Sequence, residues 1–186
     1  MKRREFISRV VIAGGALGLG FPASVFGQER VYLTEDRALK VIFPNAKTIV
    51  KDEKELSSAQ LVQVERSLGV RLRSSKQIVY RGVSGDATEG YAMILNEIGK
   101  EQFITFIVGI SGDFRIQRVA LMVFRESRGW EVEDPRFTNQ FRGKSSRDRL
   151  LIGSDIIGVT GATLSSRAFC RGAKKALLIC EALYKS

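Results

Sequence analysis

Apolar positions recur every third or fourth residue near both ends of the chain and every second residue through its middle. Toward the C-terminus, Ala168, Phe169, Ala173, Ala176, Leu177, Cys180, Leu183 and Tyr184 keep the three-and-four spacing through about five turns, which predicts one long helix. Ser165 or Ser166 is the natural N-cap of that helix. Nearer the N-terminus, Thr34 followed by Glu35 and Asp36 opens a helix whose apolar face is Ala38, Leu39, Ile42 and Phe43 and which Pro44 stops. A short extended piece at Thr48 to Val50 follows. Ser57 or Ser58 then opens a second helix with Leu61, Val64 and Leu68 on one face, ended by Gly69.

From Gln77 the period changes to two, and strands are predicted at Gln77 to Val83, Tyr91 to Asn96, Gln102 to Ile110 and Phe114 to Phe124. Ser111-Gly112-Asp113 is a hairpin signal between the last two. The third stretch is apolar on both faces, as a central covered strand requires. Asp134-Pro135 starts a short helical or turn segment carrying Phe137, Gln140 and Phe141. Hairpin-connected strands packed by a terminal helix give an α+β fold, with a small helical segment before it over residues 28–75.

The start of the chain changes the picture from fold to compartment. Met1-Lys2-Arg3-Arg4-Glu5-Phe6-Ile7 holds a twin arginine before an apolar pair, and Val10 to Phe21 is a Gly- and Ala-rich apolar run too short to span a membrane comfortably. The outline is that of a twin-arginine export signal over residues 1–27, with the mature chain beginning at Gln28 and an extracytoplasmic, periplasmic destination; a retained amphipathic anchor is the alternative.

The 159 residues that would remain suffice for one core. Lys2, Arg3, Arg4 and Arg9 against Glu5 account for +3 of the formal charge of +10, so the excess on the mature part favours acidic partners, an anionic surface or a phosphate. Its basic residues are scattered and no recognition motif with interleaved aromatics accompanies them, which argues against nucleic acid. The sequence has no histidine, and that removes Ser-His-Asp and Cys-His catalysis, histidine-bearing zinc sites and histidine-ligated haem together. Cys170 and Cys180 lie ten residues apart on one predicted helix, separated by ~15 Å along its axis, too far to bridge and suited to core packing.

The remaining candidate chemistry lies where the long helix begins. The first N–H groups of a helix lack internal partners and carry the positive end of its dipole, so a phosphate beside Thr163 would be held there without a lysine. Gly161 and Ala162 leave the backbone open to a ligand's approach.

Thr160-Gly161-Ala162-Thr163-Leu164-Ser165-Ser166 resembles the T/S-G-A-T signature of the FMN-binding domains, found in flavin subunits of sodium-pumping quinone reductases, in their ferredoxin-oxidising relatives and in stand-alone exported proteins. Glu126-Ser127-Arg128-Gly129 and Phe137-Thr138-Asn139-Gln140-Phe141-Arg142-Gly143 look like that family's E-T-P-G and F-x-x-Q-F-x-G segments, in the family's order, so that the resemblance runs from about Lys76 to the C-terminus. It implies a bent antiparallel sheet packed by helices, FMN as cofactor, and a phosphoester to Thr163 made by a flavin transferase outside the cytoplasm. It also implies that Thr160, Gly161, Ala162, Leu164, Ser165, Glu126, Gly129, Phe137 and Gln140 surround the flavin. Two places depart from the family pattern: Ile157 stands where an Asp is usual, and Ser127-Arg128-Gly129-Trp130 replaces T-P-G-L.

The expectation is therefore an exported FMN-bearing electron-transfer protein, with the flavin transferase and membrane or periplasmic redox proteins as partners and no residue marked as a substrate-specific acid or base. Two competing readings are a flavin-dependent reductase of a small substrate and a flavin-free accessory protein of a membrane redox complex.

Overall fold

The computed structural model describes residues 29–85 and 87–185. The proposed export signal and its cleavage point at Gln28 lie outside the described residues. In chain order the elements are β1 (Arg30–Val31), α1 (Glu35–Ile42), β2 (Thr48–Glu55), α2 (Ser58–Leu68), β3 (Lys76–Ser84), β4 (Ala87–Ile98), β5 (Phe103–Ser111), β6 (Ile116–Phe124), α3 (Pro135–Thr138) and α4 (Thr163–Tyr184). Two single 3-10 turns, Trp130–Glu133 and Asn139–Phe141, flank α3.

The strands form one antiparallel sheet in the order β1-β6-β5-β4-β3-β2. Register shifts at Gly82/Val83, Thr105/Phe106 and Gly109/Ile110 are irregularities of the kind that bend strands, and the sheet does not close on itself. The α+β expectation is met. On one face lies α1, with Ala38, Leu39, Ile42 and Phe43 against Tyr80, Ala92, Ile107 and Met122. On the other, α4 packs Ala168, Phe169, Ala173 and Leu177 into the larger core with Phe106, Val108 and Leu121. Because both faces are covered, Ile104 to Ile110 of β5 are buried without a break.

Local chemistry explains most boundaries. Ser57 Oγ accepts from Gln60 N–H while Gln60 Oε1 accepts from Ser57 N–H, a reciprocal cap, and Gly69 at φ 70° ends α2 in the left-handed conformation. The cap of α3 is Asp134, whose carboxylate accepts from Arg136 N–H at 2.7 Å, with Pro135 in the first turn. Three expectations shift. Strand β2 continues five residues beyond Val50, because Lys51 to Glu55 pair with β3 although their side chains are mostly exposed. Phe114 sits in the turn at φ 58° rather than in a strand. Helix α4 begins at Thr163, before either serine expected to cap it, and its N-cap residue Ala162 offers no side-chain bond. Among the described residues no helix is long and apolar enough to cross a membrane.

Candidate functional site at the start of α4

The loop between α3 and α4 is held by hydrogen bonds from side chains rather than by regular structure. Asp155 spans its own loop, accepting from Leu150 N–H at 3.0 Å and Leu151 N–H at 2.9 Å. Lys144 Nζ stands 3.4 Å from the same carboxylate. Burial pushes that carboxyl upward, but the N–H groups of Leu151 and Leu150, with Lys144, hold it below its ordinary value. Lys174 on α4 donates to Asp148 O at 2.6 Å and to Ser146 O, tying the loop to the helix.

Beyond Ile156, which is buried, the chain turns outward. Gln140 meets it there: its Oε1 accepts from Ile157 N–H at 2.7 Å and its Nε2 donates to Ile157 O at 3.1 Å. The position of residue 157 is thus fixed through its backbone, whatever its side chain, and the Ile157 side chain is left 77% exposed. The last serine of the signature closes the turn. Buried Ser166 accepts from Val159 N–H at 3.1 Å through Oγ and donates to Ala162 O at 2.9 Å. The first intrahelical backbone bond is Ser166 N–H to Ala162 O, so the N–H groups of Thr163, Leu164 and Ser165 precede the ladder and point out of the helix entrance.

Thr160, Gly161, Thr163 and Leu164 are exposed, while Ala162 and Ser165 are buried. Gly161 turns the chain at φ 79°. The burial of Ala162 and Ser165 has an identifiable partner in the loop carrying Gly129. A Cβ added to Gly129, at φ 94°, would stand 2.7 Å from Ser165 Oγ and 3.4 Å from Ala162 Cβ. This close approach brings the 126–129 segment against the start of α4. Trp130, 38% exposed, follows directly, with the Arg30 guanidinium 5.5 Å from its ring centre. Leu164, 43% exposed, and Ile157 supply further open apolar surface on the joined segments.

Two expected site residues have other engagements. Glu126 turns its carboxylate to the β4–β5 turn, where Oε1 accepts from Lys100, Glu101 and Gln102 N–H at 2.5, 2.8 and 3.1 Å. Phe137 is buried, edge-on to both Phe141 and Phe169, and is a core side chain. The clasp between Gln140 and Ile157 leaves no local sequence signal, since the fold alone brings those two positions together, whereas Asp155 and Ser166 find partners within their own loop and turn. Cys170 and Cys180 are buried free thiols, and burial pushes Cys170 up to about 12.

The chemistry available at this entrance is anion capture beside an exposed hydroxyl. Three N–H groups ahead of the ladder carry the helix's positive end, Thr163 brings an accessible Oγ1 among them, and Gly129 lets the neighbouring loop pack directly against Ser165. The phosphate of a flavin nucleotide fits such a donor set. A cavity of about 1250 Å³ lies apart from it and is lined by neither Thr163, Gly129 nor Trp130.

The family model described as FMN-binding domain matches residues 99–178. The crystal structure of NqrC from Shewanella oneidensis has a similar fold, with a TM-score of 0.51 at 16% identity over 74% of this chain and 81% of that one. No curated protein matches the sequence. Residues 99–178 thus match the FMN-binding domain, on a fold like that of NqrC, and the cofactor indicated is FMN.

Proposed function

We propose that this chain is an exported flavoprotein that carries FMN on Thr163 as a phosphoester and passes electrons outside the cytoplasm. The family match and the fold support a flavin-binding electron-transfer protein. The observation that carries the linkage is the exposed Thr163 hydroxyl at the first turn of α4, ahead of the first intrahelical bond. Bound FMN supplies the redox chemistry. The chain supplies the rest: Thr163 Oγ1 would give up its proton and take the place on phosphorus of the leaving group released from the transferase's flavin donor, the N–H groups of Thr163 to Ser165 would orient the phosphate, and Gly129 keeps the adjoining loop close. Trp130, Ile157 and Leu164 offer apolar contact that keeps water from a flat ring. A tether has physical sense outside the cytoplasm, where a freely dissociating cofactor would be lost. The chain's excess positive charge steers acidic redox partners toward it.

An intact-mass and absorption measurement on the exported protein, co-produced with a flavin transferase, tests the reading. The expected result is an added mass of FMN less one water and yellow colour that survives denaturation, both lost in Thr163→Ala and kept in Thr163→Ser. Releasable colour on an unmodified chain would leave a noncovalent flavoprotein. A colourless unmodified chain would move the assignment to an accessory protein, with Ile157 in the usual place of an Asp as its cause.

A further inference from the structure

The cavity of about 1250 Å³ opens where the sheet comes apart. Strands β3 and β4 pair from Ser84/Ala87 to Tyr80/Ala92 and no further. Continuing the register would join Val79 to Met93, Ile78 to Ile94, Gln77 to Leu95 and Lys76 to Asn96, and none of these pairs forms. Each flank remains held from its outer side: Lys76 to Val79 pair with β2, and Met93 to Ile98 pair with β5. The slot between them is therefore bordered by two unpaired backbone edges inside a sheet.

Which groups face the slot follows from antiparallel alternation. Gly99 N–H donates to Gln102 O at 2.9 Å across the β4–β5 turn, so Ile98 opposite Phe103 is a pair without mutual bonds, and the backbone groups of Ile94, Asn96 and Ile98 point away from β5. Arg171 confirms the side by donating to Ile98 O at 2.7 Å. No side chain among the described residues addresses the backbone of Ile94 or Asn96.

The slot has an apolar floor that includes Met93, Leu95, Ile152 and Cys170, and a charged rim. Glu97 is its one acid, and it is already paired with Lys175 and Arg171. Arg71, Lys76, Arg149 and Arg167 on the rim are exposed and have no carboxylate partner among the described residues. An acyl chain would suit the floor but would leave the backbone edge unsatisfied, which is costly. The space also exceeds the roughly 300–1,000 Å³ of a small-ligand pocket.

We infer that this slot receives an extended acidic segment of a partner protein, added as a strand along β4 at Ile94 to Ile98. Alternate apolar side chains of the segment go to the floor, and acidic ones reach the rim cations. This docking site is separate from the helix entrance at Thr163 and does not depend on the flavin linkage.

The test uses the purified full-length chain and a fluorescent heptapeptide alternating Glu and Val, with a Lys/Val counterpart and a Glu/Val version carrying a central Pro. Anisotropy is expected to show salt-sensitive binding of the acidic peptide, weakened at least about tenfold by either change, since one reverses the charges and the other removes a ladder N–H. Amide exchange at Ile94, Asn96 and Ile98 is expected to slow on binding. Arg71→Glu combined with Arg149→Glu is expected to lower affinity about tenfold with an unchanged circular dichroism spectrum. Absence of binding overturns the inference, as does protection confined to the outer edges of β1 or β2. It is overturned in favour of a lipid if phosphatidylglycerol vesicles protect these amides and the peptide does not. It is overturned in favour of the chain's own leader if the slot binds only after residues 1–27 are removed.

Discussion

Replacing Gln140 with Leu removes the clasp on residue 157 while keeping side-chain size. The wild-type amide accepts from Ile157 N–H at 2.7 Å and donates to Ile157 O at 3.1 Å, with a weaker bond to Arg136 O at 3.3 Å. Net hydrogen-bond contributions are about 0.5–1.5 kcal/mol each. Gln140 is half-buried and Ile157 is open to water, so the released backbone groups are rehydrated and no desolvation penalty is added. The expected loss for Gln140→Leu is therefore about 1–2 kcal/mol in urea unfolding, with an unchanged m-value. The local effect should be sharper, because Ile157 N–H loses its acceptor and its exchange protection should fall. Gln140→Glu separates the two bonds: it retains the acceptor but sets a second carboxylate oxygen against Ile157 O, so the Ile157 amide stays protected while global stability falls. In both variants the loop before Thr163 is less well placed, and flavin attachment should slow. Unchanged Ile157 protection in Gln140→Leu would refute the clasp. A loss beyond about 3 kcal/mol would show that residue 140 acts through the core instead.

Gly129→Ala should cost about 1–3 kcal/mol, from its φ of 94° and the 2.7 Å approach to Ser165 Oγ. Adding Ser165→Ala should recover the contact part of that loss and leave the backbone part, and simple additivity in denaturant titrations would contradict the contact. The Asp155 carboxyl lies below its ordinary value when folded, so its contribution is complete above about pH 4 and is lost as pH falls further through the folded value. Amide protection across Leu150 to Ile156 should accordingly weaken in acid. Asp155→Asn should show weak protection at every pH, and an unaltered acid response in that variant would assign the effect elsewhere. Cys170 and Cys180 should resist a thiol reagent in the native protein and react together on unfolding, because both are buried and shifted upward. Fast native labelling of either would contradict their place in the core.

How far the sequence carries depends on whether a residue's partner is near it along the chain. Helix α2 was readable at both ends, because Ser57, Gln60 and Gly69 act within one turn of the boundaries they set. The burial of β5 was readable for a similar reason: its two apolar faces are written in consecutive residues. The start of α4 was not. Ser165 and Ser166 look like caps in isolation, but Ser166 is committed to Val159 and Ala162, and Ser165 is pressed against Gly129 from a loop before α3. Tertiary contact therefore displaced a local preference. Strand β1 has two residues and exists only because Val123 and Phe124 stand beside it.

The signature at Thr163 was legible as a pattern, and the fold supplies what the pattern could not state: its residues divide between presenting the hydroxyl and building the entrance. Thr160, Gly161, Thr163 and Leu164 face solvent, whereas Ala162, Ser165 and Ser166 fasten the turn to Gly129 and Val159. The neighbouring segments divide likewise, Gln140 acting on the backbone of residue 157 and Glu126 on the β4–β5 turn. This division gives a physical reason why Ile157 is tolerated structurally where an Asp is usual. Gln140 contacts only the backbone at that position, and the side chain lies outside the core. Any effect of the Asp-to-Ile difference must then fall on what meets residue 157 from solvent, and not on folding. Ile157→Asp should accordingly leave denaturant stability within about 0.5 kcal/mol of the natural chain, as exposed substitutions do. It should change only the rate at which covalent flavin accumulates, measured by intact mass over time. A stability change well beyond that range would show that the loop holds residue 157 by more than its backbone.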